Sequence, residues 1–158
     1  MANDKTIWEF LKSRGLNDYG AAGLMGNLYA ESGLSPTNLQ NTYNNKFGMT
    51  DDEYTAAVDA GRYGNFVHDS AGYGLAQWTF WSRKQGLYDY AKSTGRSIGD
   101  LTMQLEFLFQ ELSSGYKSVL SILKSATSVL QASNAVLLQF ERPADQSVSV
   151  QNKRASYG

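Results

Sequence analysis

The sequence lacks residue types that several classes of enzyme require. Its 158 residues include no cysteine and one histidine, His68. The missing cysteine excludes disulfides, thiolate nucleophiles and zinc–thiolate sites, and a lone histidine gives little support to a Ser-His-Asp triad or a histidine-rich metal site. No glycine cluster lies between a predicted strand and a helix, so there is no phosphate loop or dinucleotide fingerprint. The sequence implies no metal ion and no organic cofactor.

Excess charge and long apolar runs are also missing. Fourteen basic residues balance fifteen acidic ones without long runs of either sign, which argues against nucleic acid or an anionic membrane as a partner. No stretch is apolar for long enough to insert into a bilayer, and Met1–Thr6 has neither the basic start nor the apolar core of a signal peptide. We expect a neutral partner, and either export by another route or a chain that is one piece of a larger protein.

Helical periodicity dominates a chain whose length predicts one domain over residues 1–158. The first three predicted helices run from about Asp4 to Arg14, from Asn17 or Asp18 to Gly33, and from the capping-box residue Thr50 to Ala60. The later ones run from about Trp81 to Thr94, Asp100 to Ser113, Tyr116 to Lys124 and Ser128 to Phe140, with a final turn or two from Ser147. Apart from the Thr50 helix, residues 35–80 read as loops with a short hairpin around Arg62–His68. The predicted fold is mainly α, with a small irregular or β-containing lobe after the second helix.

The second predicted helix contains three regularly spaced glycines. Gly20, Gly23 and Gly26 are spaced to share one helix face. Glycine weakens a helix but lets the backbone of another element approach closely. We therefore expect this helix to be central, with Glu31 in its last turn.

Glu31 is the leading candidate for a catalytic acid. Exposed carbonyls at a helix C-terminus carry partial negative charge, and nearby Met25, Leu28 and Leu34 would desolvate the side chain, so both effects favour the protonated acid. A carboxyl that stays protonated near neutral pH is what cleavage of a glycosidic bond requires. The alternative is a surface glutamate at a helix end, which on local sequence alone is the commoner case.

The segment Gly72-Tyr73-Gly74-Leu75-Ala76-Gln77-Trp78-Thr79 has the composition of a sugar-binding loop. Its small residues let the backbone approach a ligand, and Gln77 offers a donor and an acceptor for an acetamido or hydroxyl group. Tyr73 and Trp78 provide flat faces with polar edges, which suit sugar rings. The alternative is a glycine-rich turn that feeds a core tryptophan.

A second catalytic acid is harder to assign, because the irregular lobe contains several. Asp51, Asp52 and Glu53 are explained by helix capping and the helix dipole. Asp69 precedes the glycine-rich segment, so we take it as the candidate base or nucleophile. The alternative is that Asp69 forms a turn before Gly72.

Three ordered motifs together resemble the phage tail lysozyme family, within the lysozyme-like superfamily. They are Gly26-Asn27-Leu28-Tyr29-Ala30-Glu31-Ser32-Gly33, Gly72-Tyr73-Gly74-Leu75-Ala76-Gln77-Trp78-Thr79 and Phe140-Glu141-Arg142-Pro143-Ala144. The similarity spans about residues 5–157. The stretch from Asn41 to Asp69 is longer than in the shorter members, and no second acid matches a family position.

The resemblance implies a two-lobed helical fold with a substrate cleft between the lobes, and a muramidase that cleaves the N-acetylmuramic acid to N-acetylglucosamine linkage of peptidoglycan. It assigns the catalytic glutamate to Glu31. The Glu-Ser pair and the Gly-Leu-x-Gln pattern also look like those of goose-type lysozymes and lytic transglycosylases, so Ser32 and Gln77 are expected to contact substrate. Tyr73 and Trp78 are carried over as cleft residues.

The resemblance leaves the reaction open between hydrolysis and formation of a 1,6-anhydro product. It implies a bacteriolytic hydrolase of the endolysin type that acts at the bacterial cell wall, is phage tail-associated or prophage-encoded, and works with the glycan strand and other domains of a tail protein. A non-catalytic wall-binding or tail-structural module is the rival from another class. A helical inhibitor or adaptor ranks last, because it would leave the aromatic middle unexplained.

Overall fold

Helices dominate the computed structural model of the chain, which describes residues 2–142 and 146–157. Nine α-helices and one π-helix are found in these residues. Their bounds are α1 Ala2–Ser13, α2 Asp18–Ser32, α3 Asn41–Phe47, α4 Asp51–Asp59, α5 Trp81–Ser93, α6 Leu101–Ser114, α7 Lys117–Ser125, α8 Val129–Ala135, the π-helix Val136–Glu141 and α9 Val148–Tyr157. The predicted mainly α fold is confirmed. In the described ranges there is no strand, only two isolated antiparallel bridges, Leu39 with Tyr73 and Tyr73 with Trp78. The predicted lobe and substrate cleft stay predictions.

Contacts along the chain divide it into two compact units. The terminal unit comprises the residues up to Leu34 and those from Phe109 onward, and the inserted unit comprises Ser35–Leu108. The inserted unit begins directly after α2 and its cap. The expectation of one catalytic domain stays a prediction.

Helix α2 begins and ends at the residues that the capping rules predict. The Asn17 side chain accepts a hydrogen bond from the backbone N–H of Gly20 at 2.8 Å, and its amide donates to the carbonyl of Ala126 at 2.8 Å. At the other end Gly33 adopts the left-handed conformation with φ 64°, and its N–H bonds to the carbonyl of Tyr29. Glu31 therefore lies in the last turn, as predicted.

The glycine face of α2 allows two other helices of the terminal unit to approach its backbone. A Cβ built on Gly20 would lie 1.7 Å from the carbonyl oxygen of Leu123 in α7. A Cβ on Gly23 would lie 2.6 Å from the Cβ of Ala132 in α8. The predicted central position of α2 is confirmed, since α1, α7, α8, α9 and the π-helix all pack on it.

We expect the substitution Gly20→Ala to destabilise the protein by about 1–3 kcal/mol or more, because the added methyl group meets backbone that cannot move aside. Thermal unfolding followed by circular dichroism measures the loss. Gly115→Ala is the matched control, because the nearest atom to its new Cβ is 3.9 Å away, and its effect should stay within about 0.5 kcal/mol. Equal melting temperatures for the two variants would contradict this account of the α2–α7 contact.

The C-terminal part of the terminal unit departs from the sequence prediction in two places. The helix predicted from Ser128 to Phe140 is α-helical only as far as Ala135 and continues as the π-helix to Glu141, which is capped by Arg142 with φ 52°. The predicted final turn or two is a ten-residue helix, α9. Pro143 and Ala144, the end of the third motif, lie outside the described residues.

Helices α3 and α4 of the inserted unit differ in how well the sequence predicted them. The capping box at the start of α4 is present: the Thr50 hydroxyl accepts from the Glu53 N–H, and the Glu53 carboxylate accepts from the Thr50 N–H. Helix α3 was not predicted, because its asparagines and threonine are poor helix formers. The centroid of its Phe47 ring lies 6.2 Å from that of Tyr54 and 5.9 Å from that of Tyr63. Aromatic packing therefore stabilises a helix that residue propensity alone does not favour. The hairpin predicted around residues 62–68 is wrong, since none of these residues lies in a strand or a bridge and residues 66–68 form a turn.

Candidate active site

Glu31 holds a defined position at the end of α2. Its side chain is 17% exposed, and its Oε1 accepts a 2.8 Å hydrogen bond from Nη1 of Arg154 in α9, whose own side chain is 12% exposed. Within residues 2–142 and 146–157, no other side chain or backbone group donates to the Glu31 carboxylate. The second oxygen, Oε2, accepts no hydrogen bond from the residues that the structure describes.

A buried amide supports the same arginine. Asn27, one turn before Glu31 and fully buried, accepts from Arg154 Nη1 at 3.2 Å through its Oδ1. Its Nδ2 donates to the carbonyl of Gly23 and to both the carbonyl and the hydroxyl of Ser133 at 2.9–3.1 Å. Because these partners fix the orientation of the amide, Oδ1 faces Arg154. The network joins α2, α8 and α9 of the terminal unit.

Ser32, predicted to contact substrate, is nearly buried. It is 3% exposed, and its hydroxyl donates to the carbonyl of Leu28 at 3.0 Å, one turn earlier in α2. Such a back-bond to the helix is a common arrangement for serine near a helix end. The substrate contact stays a prediction.

The glycine-rich segment of the inserted unit forms a tight turn. The backbones of Tyr73 and Trp78 exchange two hydrogen bonds of 3.1 and 2.9 Å, and Gly74 begins the turn with φ 83°. The fully buried Gln104 supports the turn by accepting from the N–H of Leu75 at 2.9 Å. A Cβ on Gly74 would lie 2.9 Å from the Gln104 amide, so glycine is needed there for its φ and for space.

Gln77, at the end of this turn, keeps an unused acceptor. Its Nε2 donates to the carbonyls of Asn38 at 2.8 Å and Gly74 at 3.1 Å. In the described part of the chain nothing donates to its Oε1, and its backbone adopts φ 52°. Positive φ is uncommon for a residue other than glycine and is often found at functional sites. The arrangement suits the predicted role of accepting a hydrogen bond from a ligand, which stays a prediction.

Tyr73 and Trp78 do not present their rings to solvent. They are 0% and 1% exposed, the Tyr73 hydroxyl bonds to the Thr55 hydroxyl, and the Trp78 ring packs edge-on against Phe107 at 5.6 Å. Both side chains therefore support the turn from within. The exposed aromatic side chains nearest in sequence are instead Phe80 at 62% and Trp81 at 52%, which follow Thr79. The role of Tyr73 and Trp78 as cleft residues stays a prediction, which the burial of their rings does not support.

Asp69 lies in the interior of the inserted unit. Its side chain is 1% exposed and forms an ion pair with Nζ of the fully buried Lys84 at 2.6 Å. The hydroxyls of Tyr54 and Tyr63 donate to its Oδ2 at 2.6 and 2.9 Å, and the N–H of Ala71 donates to its Oδ1 at 3.0 Å. Both carboxylate oxygens are thus occupied. The catalytic role of Asp69 stays a prediction, but these contacts favour a structural role.

The groups around Asp69 titrate abnormally because they are buried. Burial raises the pKa of Tyr54, and the hydrogen bond and charge of Asp69 raise it further. The pKa of Tyr63 is raised for the same reasons in the same order. Burial lowers the pKa of Lys84, and the Asp69 carboxylate opposes that shift. The cluster is a closed network of mutual partners.

Comparison with known proteins identifies the family. The model of a family described as phage tail lysozyme matches residues 2–158, essentially the whole sequence. The chain belongs to the phage tail lysozyme family. A search of curated proteins finds no match.

Membership in the phage tail lysozyme family implies a lysozyme-like function on peptidoglycan and fits a phage-associated protein that acts at the cell wall. In the described residues, no helix is both long and apolar enough to cross a membrane. Nor do those residues contain a group of three or more histidine, aspartate or glutamate side chains placed to hold a metal ion.

Sequence reasoning missed the two cations that hold the predicted acids. Arg154 is 123 positions away from Glu31 and lies in a segment where only a turn or two was predicted. Lys84 is flanked by polar residues in α5, and a fully buried lysine is rare enough that no local pattern indicates one. Only the folded chain reveals either pairing.

Proposed function

We propose that the chain is a glycosidase that cleaves the β-1,4 linkage between N-acetylmuramic acid and N-acetylglucosamine in peptidoglycan, with Glu31 as the general acid. The observation that carries the proposal is the Glu31 carboxyl: it stands at the end of the central helix of a phage tail lysozyme family member, anchored through one oxygen only. Protonated Oε2 would give its proton to the glycosidic oxygen as the bond to C1 breaks. Water would then add at C1 and return a proton to Glu31.

The remaining predicted residues serve binding in this proposal. Gln77 accepts a hydrogen bond from an acetamido or hydroxyl group through Oε1, and Ser32 lies next to the acid in α2. Tyr73 and Trp78 act by supporting the turn that holds Gln77, since their rings are buried. The exposed rings of Phe80 and Trp81 are better placed to pack against sugar.

A lytic transglycosylase is the second candidate, and the contacts of Asp69 favour considering it. With both Asp69 oxygens occupied, Glu31 has no evident acidic partner among the predicted residues. Transglycosylation needs none, because the 6-hydroxyl of the muramoyl residue attacks C1 and passes its proton to Glu31, giving a 1,6-anhydro end.

Mass spectrometry of the fragments released from purified sacculi tests the proposal. We expect soluble muropeptides with reducing N-acetylmuramic acid ends, because water completes the reaction. Anhydro ends would assign the same chain to transglycosylation. Reducing N-acetylglucosamine ends would refute the assigned linkage. Binding to sacculi without release of any fragment would favour a wall-binding or tail-structural module instead.

A further inference from the structure

The C-terminal helix α9 carries the one group that contacts the Glu31 carboxylate in the described residues. Helix α9 packs on α2 and α8, and its Tyr157 ring meets Tyr29 of α2 edge-on with centroids 4.8 Å apart. No residue of α9 is fully buried. The Arg154 side chain is nevertheless only 12% exposed. Because removing a charged group from water is costly, this burial indicates a specific partner.

The contact geometry is specific. Nη1 of Arg154 donates to Oε1 of Glu31 at 2.8 Å and to Oδ1 of Asn27 at 3.2 Å. The Asn27 amide cannot turn away, because its Nδ2 is held by Gly23 and Ser133. The guanidinium is thus fixed by one neutral and one acidic acceptor on successive turns of α2. Charge-assisted bonds of this length are short and directional.

We propose that Arg154 is a positioning residue for the reaction, acting through Glu31 and not on the substrate. By holding Oε1 it restricts rotation of the carboxyl and leaves Oε2 as the oxygen that delivers the proton. A glutamate side chain without this contact would sample several rotamers. Proton transfer requires a donor within hydrogen-bond reach in a productive orientation, so the reaction depends on α9. This inference rests on the proposed role of Glu31.

The substitutions Arg154→Met and Arg154→Lys test this role in the full chain. Methionine keeps part of the packing and removes the charge and the donors. We expect kcat on soluble uncrosslinked glycan strands to fall roughly 10- to 100-fold, the scale expected for a misplaced catalytic group, while KM stays near the wild-type value. Lysine keeps the charge without the planar fork, so its kcat should lie between those of wild type and Arg154→Met. The adjacent exposed Lys153→Met is the control and should leave both constants unchanged.

Several outcomes would overturn the inference. Wild-type kcat in Arg154→Met would show that the contact does not position the acid. An equal loss in the lysine and methionine variants that comes with an equal fall in melting temperature would assign the effect to packing. If Arg154→Met does not fold by circular dichroism, Arg154→Lys decides alone: a lower kcat at unchanged KM supports the inference, and a wild-type kcat overturns it. An inactive Glu31→Gln beside a fully active Arg154→Met would refute this inference only, whereas an active Glu31→Gln would refute the proposed function itself.

Discussion

The substitution Glu31→Gln should lower the rate of glycan cleavage by about 10²- to 10⁴-fold, the contribution that general acid catalysis usually makes. Glutamine is nearly isosteric with glutamate but has no acidic proton to give to the leaving oxygen. Its side-chain oxygen can still accept the bond from Arg154, so α9 should remain attached to α2. Release of soluble fragments from labelled sacculi measures the rate, and a pull-down with sacculi measures binding, which should persist.

Two controls separate loss of chemistry from loss of structure. Glu9→Gln removes a carboxylate that is 65% exposed on α1, and its activity should equal that of the wild type. The melting temperature of Glu31→Gln should remain close to the wild-type value. Cleavage at the wild-type rate by folded Glu31→Gln would refute Glu31 as the acid, whatever the products are.

Short sequence patterns were enough to predict helix α2, which carries Glu31. Asn17 and Gly33 cap α2 at its two ends, and each is a residue type that is favoured at its cap position. Gly20 and Gly23 predicted that another element approaches the backbone of α2 closely, and α7 and α8 do so. Helix caps and glycine faces depend on residues that are close together in the sequence, so the sequence reveals them directly.

The electrostatic partners of the acids could not be predicted, because they depend on long-range packing. Nothing near Glu31 in sequence indicates Arg154, and nothing near Asp69 indicates Lys84. The aromatic residues show the same limit. Tyr73 and Trp78 have the chemistry of sugar-binding side chains, yet the turn directs them into the interior. Composition identifies which residues can do chemistry, whereas burial decides which of them meet a ligand.

Breaking the buried pair Asp69–Lys84 should strongly destabilise the inserted unit. Lys84 has no exposed side-chain surface, and its Nζ donates to Asp69 Oδ1 at 2.6 Å and to the Ala71 carbonyl at 2.8 Å. We expect Lys84→Met to cost about 3–5 kcal/mol, because it leaves the Asp69 charge buried without its cation. For a chain of this length the melting temperature should fall by about 10 °C, as differential scanning calorimetry can measure.

A matched control and a double-mutant cycle isolate the pair. Lys92→Met removes an exposed lysine from the same helix, α5, whose Nζ donates to the Asp59 carbonyl at 3.1 Å, and should change stability by no more than about 1 kcal/mol. The double substitution Asp69→Asn with Lys84→Met should cost less than the sum of the single losses, by about 0.5–3 kcal/mol. Additive losses would contradict a direct interaction between the two side chains.

The same variants decide what Asp69 does. If its carboxylate is structural, Asp69→Asn should melt early but still cleave glycan at a temperature where it is folded, because the tyrosine hydroxyls can donate to the remaining oxygen. If Asp69 is the base or nucleophile, the folded variant should lose cleavage as completely as Glu31→Gln. Its contacts favour the first outcome, since a nucleophile would first have to break an ion pair and release two tyrosines inside the inserted unit.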